Sequence, residues 1–343
     1  KEFCLVGGKG VSLKVAADTK YWLYVNGELV VREGGLKRGP NPTDSYCDVF
    51  DEVPNLKCGR NSVAVLVQYY GRNSFSHKPS AQPGVWFEMD CALGKVVSDN
   101  SWKATRYDAF WAPEDENPKG PRQYRLAGAN VGYDARKAVE FASAKFNDSE
   151  WSDAVVVSPK DAEWGAFVER PIPQWRWGEL VDYQSVTYKE DGVIECALPY
   201  NAHVTPYIRL KAKGGELITM CTDDYWIGVA RSFHTQYIAR EGEQEFETPI
   251  WTNGHTVLYT VPEGVEVLEL KYRESGYNSD FVGSFECDNE FCNKLWQKAA
   301  RTLYVTMRDN YMDCPDRERA QWWGDVVVEL GEAGYLFDSR AHL

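Results

Sequence analysis

Asp313-Cys314-Pro315-Asp316-Arg317-Glu318-Arg319-Ala320-Gln321-Trp322-Trp323-Gly324-Asp325 sets four carboxylates, two arginines and two tryptophans into thirteen residues. The hydrophobic pattern of the chain changes at this stretch. Upstream, apolar residues recur with the period of two that belongs to strands; next to it they recur every three to four residues, as on a helix. No other segment combines charge, aromatic surface and turn chemistry so densely, so any chemistry on a substrate is expected here.

Just before the stretch, Ser284 to Asp309 carries Phe291, Leu295, Ala299, Leu303 and Met307 in an unbroken i, i+4 series, with Asp288 placed to cap it. That spacing predicts a helix of about five turns at 3.6 residues each. Pro315 suits the first turn of a new helix, which Val326, Val327, Leu330 and Ala333 or Gly334 would continue. If Glu318 and Asp325 share that helix, they project from one face about 10.5 Å apart along its axis, with Asp313 one turn earlier. Carboxylates converging on one pocket repel, which raises the pKa of the most buried member. A carboxylic acid kept protonated near neutral pH is what a general acid for glycoside cleavage must be. Arg317 would hold another acid ionised or grip substrate hydroxyls. Trp322 offers a flat face to a sugar ring. The competing reading is that such clusters at helix starts are capping and salt-bridge arrays on solvated surface. The stretch contains no histidine, which argues against zinc.

Further upstream the chain reads as two sets of strands. In the first, Val11 to Met89, Val11-Ser12-Leu13-Lys14-Val15 alternates. Tyr21-Trp22-Leu23-Tyr24-Val25 then meets Asn26-Gly27, a strong hairpin signal, and Glu28-Leu29-Val30-Val31 returns from it. Ser98 to Trp102 and Asn147 to Trp151 are similar polar turns closing on a tryptophan, read as two alike loops. Pro171-Ile172-Pro173 is a stiff break. Beyond it Gly192 to Leu198, Pro206 to Ala212, Gly215 to Met220, Thr256 to Val261 and Glu266 to Tyr272 again read as strands. The fold class expected is therefore multidomain and mainly β. Residues 1–170 and 171–283 form two β-sandwich domains, and residues 284–343 an α-helical hairpin. A hairpin of two helices has nothing to cover its second face, and the chain starts at Lys1 within a strand-like run. It is therefore expected to be a piece of something longer.

The length of 343 residues fits two or three domains. A net charge of -13 argues against a nucleic-acid partner, which needs a basic face. No run is apolar enough for a membrane span. Nine cysteines without a CxxC fit no zinc pattern and read as reduced thiols. The 13 Trp and 20 Tyr suit sandwich cores first, and sugar stacking second.

Met312 to Arg319, followed by Trp322, Gly324 and Asp325, resembles the signature of bacterial α-L-rhamnosidases, glycoside hydrolase family 78. The Tyr24 to Gly27 hairpin, the Tyr133-Asp134-Ala135-Arg136 run and the sandwich–sandwich–helix order are similar to the same family, so the likeness spans nearly the whole chain. The resemblance implies a galactose-binding-like first sandwich and the start of an (α/α)6 barrel from residue 284. It implies Glu318 as general acid, with Asp313, Arg317, Trp322 and Asp325 around a terminal rhamnose. Ala320-Gln321 and Trp323 stand where the family more commonly has Leu-Gly and Thr, which bears on the shape of the sugar pocket. The family inverts the anomeric centre and takes its general base from later in the barrel, so these residues alone are expected to be inactive. The implied partner is a rhamnose-containing oligosaccharide or glycoside. No cofactor is expected, with calcium on a sandwich loop left open, as are the oligomeric state and a periplasmic or cytoplasmic location. The alternative is a non-catalytic carbohydrate-binding sandwich whose Trp102, Trp111 and Trp151 grip glycan.

Overall fold

A computed structural model describes residues 1–6, 10–36, 39–80, 82–92, 94–113, 130–223, 226–227, 230–231 and 233–337 of the chain. The end of the expected helical segment, 338–343, lies outside them. The fold is mainly β, with several sheets and a helical hairpin near the C-terminal end. Contacts divide it into two compact units. One comprises Lys1–Asn73, His77–Tyr107 and Val139–Arg170; the other comprises Ser74–Ser76, Asp108–Ala138 and Pro171 onward. Residues 74–76, 108–113 and 130–138 thus cluster with the second unit, although they precede the Pro171-Ile172-Pro173 break.

The first unit packs a four-stranded sheet against a five-stranded one. Glu2–Leu5, Gly59–Gln68, Lys20–Val25 and Glu28–Gly34 form the first, and Phe167–Glu169, Ser45–Phe50, Ser12–Asp18, Gly84–Cys91 and Gly94–Val97 the second, in those orders. Inward residues of both faces meet in one core: Leu13, Val15, Phe87 and Met89 from one sheet; Tyr21, Leu23, Val25 and Val63 from the other. The hairpin turns at Asn26 and Gly27, whose φ of 52° and 93° are the left-handed pair that a two-residue turn requires. Trp102 belongs to this core. Its ring lies 5.1 Å from Phe87 and its Nε1 donates to Val97 O at 2.7 Å, so it is not available as a glycan surface. The two alike loops end beside each other: Lys103–Ala104 pairs antiparallel with Ser152–Asp153.

The second unit is built on one ten-stranded sheet. Its spine is the strand Val193–Ala212. The sequence reads as two strands there, Gly192 to Leu198 and Pro206 to Ala212. They run on as one because a register break between Ala197 and Ala202 absorbs Pro199, which has no N–H to give the ladder. The first half of this strand pairs with Ser185–Tyr188 and Thr252–Thr260, and the second with Gly242–Glu247 and Glu266–Gly276. Ile194, Cys196, Val204, Ile208, Leu210, Ile218, Met220, Val257 and Tyr259 fill the core so formed.

The first long helix, Glu290–Val305, is capped by Asn289, whose side chain accepts from Phe291 N at 3.0 Å and Cys292 N at 3.4 Å. The expected cap, Asp288, is one residue too early; Asn and Asp serve equally at this position, and geometry selects between adjacent candidates. Only the C-terminal half of the helix is covered. Ala300, Leu303, Tyr304 and Val305 are buried, whereas Phe291 and Leu295 of the same apolar series are 70% and 54% exposed. Tyr304 Oη donates to Tyr277 O at 3.1 Å, and Arg301 Nε donates to Asn201 O at 2.7 Å. Met307, expected as the last member of the series, is buried beyond the helix end. The second helix, Trp323–Leu336, buries Val326, Ala333 and Leu336 and leaves Val327, Val328 and Leu330 exposed.

Candidate active site

The stretch Asp313–Trp322 is a closed loop, not the beginning of the second helix. Asp313 N–H donates to Ala320 O at 2.9 Å, and Ala320 N–H donates back to Asp313 Oδ1 at 3.0 Å. The expectation of a helix from Pro315 fails at Arg319, whose φ of 49° is left-handed and cannot continue a right-handed helix. Glu318 and Asp325 therefore do not share a helix, and the 10.5 Å separation along a common axis does not apply.

Two contacts, one within the loop and one to Trp251, hold Arg319 in this costly conformation. Its Nε donates to Pro315 O at 2.7 Å, and its guanidinium lies 3.4 Å from the centre of the Trp251 ring. Left-handed backbone costs a non-glycine residue roughly 1–2 kcal/mol, which a desolvated cation–π contact of about 2 kcal/mol can offset. Trp251 also meets the His203 ring at 4.2 Å and the Arg308 guanidinium at 4.8 Å. Arg308 is buried and further flanked by Trp175 and Trp177 at 5.0 and 5.7 Å. Burial and the neighbouring Arg308 and Arg319 charges hold His203 well below the usual imidazole range. His203 is therefore neutral, and its Nε2–H donates to Val305 O at 2.7 Å. A second tie comes from the buried Asn253, whose Nδ2 donates to Asp316 Oδ1 at 2.8 Å. The loop is thus fixed to the strand Thr252–Thr260 and the residue preceding it.

On this support stands Glu318, whose side chain is 13% exposed. Its Oε2 accepts from Trp322 Nε1 at 2.9 Å, and its Oε1 lies 3.7 Å from Arg317 Nε. Trp322 and Arg317 are themselves largely open to solvent. These three of the five expected site residues therefore meet. Asp313 and Asp325 have other surroundings. Asp313 Oδ1 closes the loop and its Oδ2 accepts from the Cys314 thiol at 3.3 Å. Asp325 is exposed in the first turn of the second helix, where a negative charge suits the helix dipole.

Asp313 and Asp325 act electrostatically on Glu329, one turn beyond Asp325. Burial, and then the charges of Asp325, Asp313 and Glu332, push the Glu329 carboxyl up to about 7, against a hydrogen bond with Thr306. A carboxyl that holds its proton near neutrality is thus present at a position the sequence reading passed over. Its signal was the i, i+4 spacing from Asp325. Arg319, Trp251 and Asn253 were also passed over; the loop residues that the last two hold, Arg319 and Asp316, are more than sixty residues away in the chain. Among the described residues no three His, Cys, Asp or Glu side chains are grouped to hold a metal ion. The loop presents a carboxyl group, an indole N–H bound to it, an arginine at its edge and an open aromatic face. Such a set can pass a proton to a bound oxygen beside an apolar ring.

Residues 280–343 match the family model of the bacterial alpha-L-rhamnosidase six-hairpin glycosidase domain. An alpha-L-rhamnosidase of Formosa agariphila is 24% identical over 355 aligned residues, which take in 93% of this chain and 35% of the relative. The family 78 rhamnosidase of Bacillus sp. GL1 superposes with a TM-score of 0.83 at 17% identity, over 99% of this chain and 60% of that one. The Streptomyces avermitilis alpha-L-rhamnosidase solved with L-rhamnose gives a TM-score of 0.78 at 19% identity, over 99% and 34%. The chain thus has the fold of part of the family 78 rhamnosidases. It spans about a third of the curated relative's length.

Proposed function

We propose that this chain belongs to an inverting glycoside hydrolase that removes terminal α-L-rhamnose, and that Glu318 is its general acid. The carrying observation is the Glu318 carboxyl itself, seated between the Trp322 indole N–H and Arg317 on a loop rigidly tied to the sheet, within the part that matches a glycosidase domain. An acid that must deliver its proton to a glycosidic oxygen needs a fixed carboxyl beside a surface that holds the sugar. In this reading Trp322 lies under the apolar face of the rhamnose. Arg317 and Asp325 bond its hydroxyls, and Asp313 contributes its Oδ2. The ten-stranded sheet braces the helical segment that begins at 284, through the bonds of Arg301 and Tyr304 to Asn201 and Tyr277.

An inverting mechanism also needs a carboxylate that activates water from the opposite face of the sugar. We place that base outside these 343 residues. The matched domain is described as six hairpins, and the described residues hold one helical hairpin. Phe291, Leu295, Val327, Val328 and Leu330, exposed on the two helices, are the surface that further hairpins would cover.

The test is hydrolysis of an aryl α-L-rhamnoside. The full-length protein is expected to release L-rhamnose, appearing first as the β-anomer by NMR, while the 343-residue chain releases none. Turnover by the short chain that Glu318→Gln abolishes would show that the base lies within it. A full-length protein inert toward rhamnosides yet retained by a glycan would favour a non-catalytic binding module.

A further inference from the structure

We propose that Phe75 forms the apolar wall of the site that receives the leaving group, and so selects rhamnosides whose first group beyond the glycosidic oxygen is a ring. This deepens the reading of Glu318 as the acid and rests on it. Ser74–Ser76 belong to the second unit although the residues on either side belong to the first. The Phe75 ring stands 5.5 Å from the Trp322 ring, inclined to it by 56°. Neither ring is covered: Phe75 is 37% and Trp322 43% exposed. The residue after Phe75, Ser76, is buried, so the ring projects from anchored backbone.

The chemistry of the acid assigns the two faces. Its proton goes to the oxygen that joins the sugar to the leaving group, so both flank Glu318 within one ring width. Trp322, bonded to Glu318 through its Nε1–H, lies under one of them. Two rings meeting at an angle make a corner, and a single flat ring cannot lie against both. The second ring therefore faces what adjoins the sugar. Phenylalanine has no polar atom, so it can discriminate only by the area and flatness of apolar contact. It would favour a flat apolar face, as on a pyranose or a phenol, and be indifferent to a small leaving group.

The experiment measures binding by calorimetry in full-length protein carrying Glu318→Gln, which prevents turnover while its amide can still accept from Trp322. L-rhamnose and phenyl α-L-rhamnoside are compared before and after adding Phe75→Ala, and again with Phe75→Leu, which keeps bulk without a flat face. Both changes are expected to weaken the phenyl rhamnoside about five- to tenfold and to leave L-rhamnose within about twofold. Equal weakening of both ligands, or of neither, would overturn the role of Phe75 while leaving the rhamnose site in place. Failure of the parent protein to bind either ligand would overturn the rhamnoside reading and the proposal with it.

Discussion

At the scale of single residues, the proposed site rests on groups that hold the loop of Glu318 in place. Arg319 has a left-handed backbone, a buried guanidinium over Trp251 and a hydrogen bond to Pro315 O. Arg319→Ala keeps the backbone strain and loses both contacts, so urea unfolding should show a loss of roughly 2–3 kcal/mol. Arg319→Gly should recover about 1 kcal/mol of that, because glycine bears a positive φ without cost. Glu329 makes a pH prediction. Its folded pKa of about 7 lies above the ordinary 4.5, so the folded state binds the proton more tightly. The stabilising contribution is complete below about pH 4.5 and is lost as pH rises through about 7. Glu329→Gln, which cannot ionise, should leave stability at pH 4 unchanged and raise it at pH 8. The gain should be on the order of 1 kcal/mol, well short of the full shift because the side chain is only half-buried. A difference between variant and parent that is flat with pH would contradict the assignment.

At the scale of elements, the first helix shows how far the sequence could be read. Its existence followed from the i, i+4 series, and so did the burial of Leu303; the exposure of Phe291 and Leu295 did not, because periodicity identifies an apolar face without saying what covers it. Its junction with the sheet is set by close approach. A Cβ on Gly276 would stand 2.4 Å from Tyr304 Oη, so Gly276→Ala should push the helix outward and lower Tm by several degrees. Asn289→Ala should cost about 1 kcal/mol through the lost cap, read by thermal melting. The motif loop was the least legible element. Its residue types announced a site, and Pro315 suggested a helix. The left-handed Arg319 that breaks that helix is imposed by Trp251, which no local pattern connects to it. For the same reason the contact of Phe75 with Trp322, separated by most of the chain, could not be foreseen.

At the scale of the whole molecule, the β-rich fold and its change to helices near residue 284 were legible because period two and period 3.6 are unmistakable over long runs. The joining of two predicted strands into Val193–Ala212 was not, since a bulge at Pro199 reads locally as a turn. Superposition over 99% of the chain on rhamnosidase structures establishes the fold, and the proposed chemistry rests on Glu318. The most direct test compares the full-length protein with Glu318→Gln on aryl α-L-rhamnosides of graded leaving-group acidity. If Glu318 donates the proton, the variant should lose about 10²–10⁴-fold in kcat/KM with a poor leaving group, and progressively less as the leaving group departs without protonation. The same loss at every leaving group, or no loss, would contradict the assignment of Glu318 as the acid.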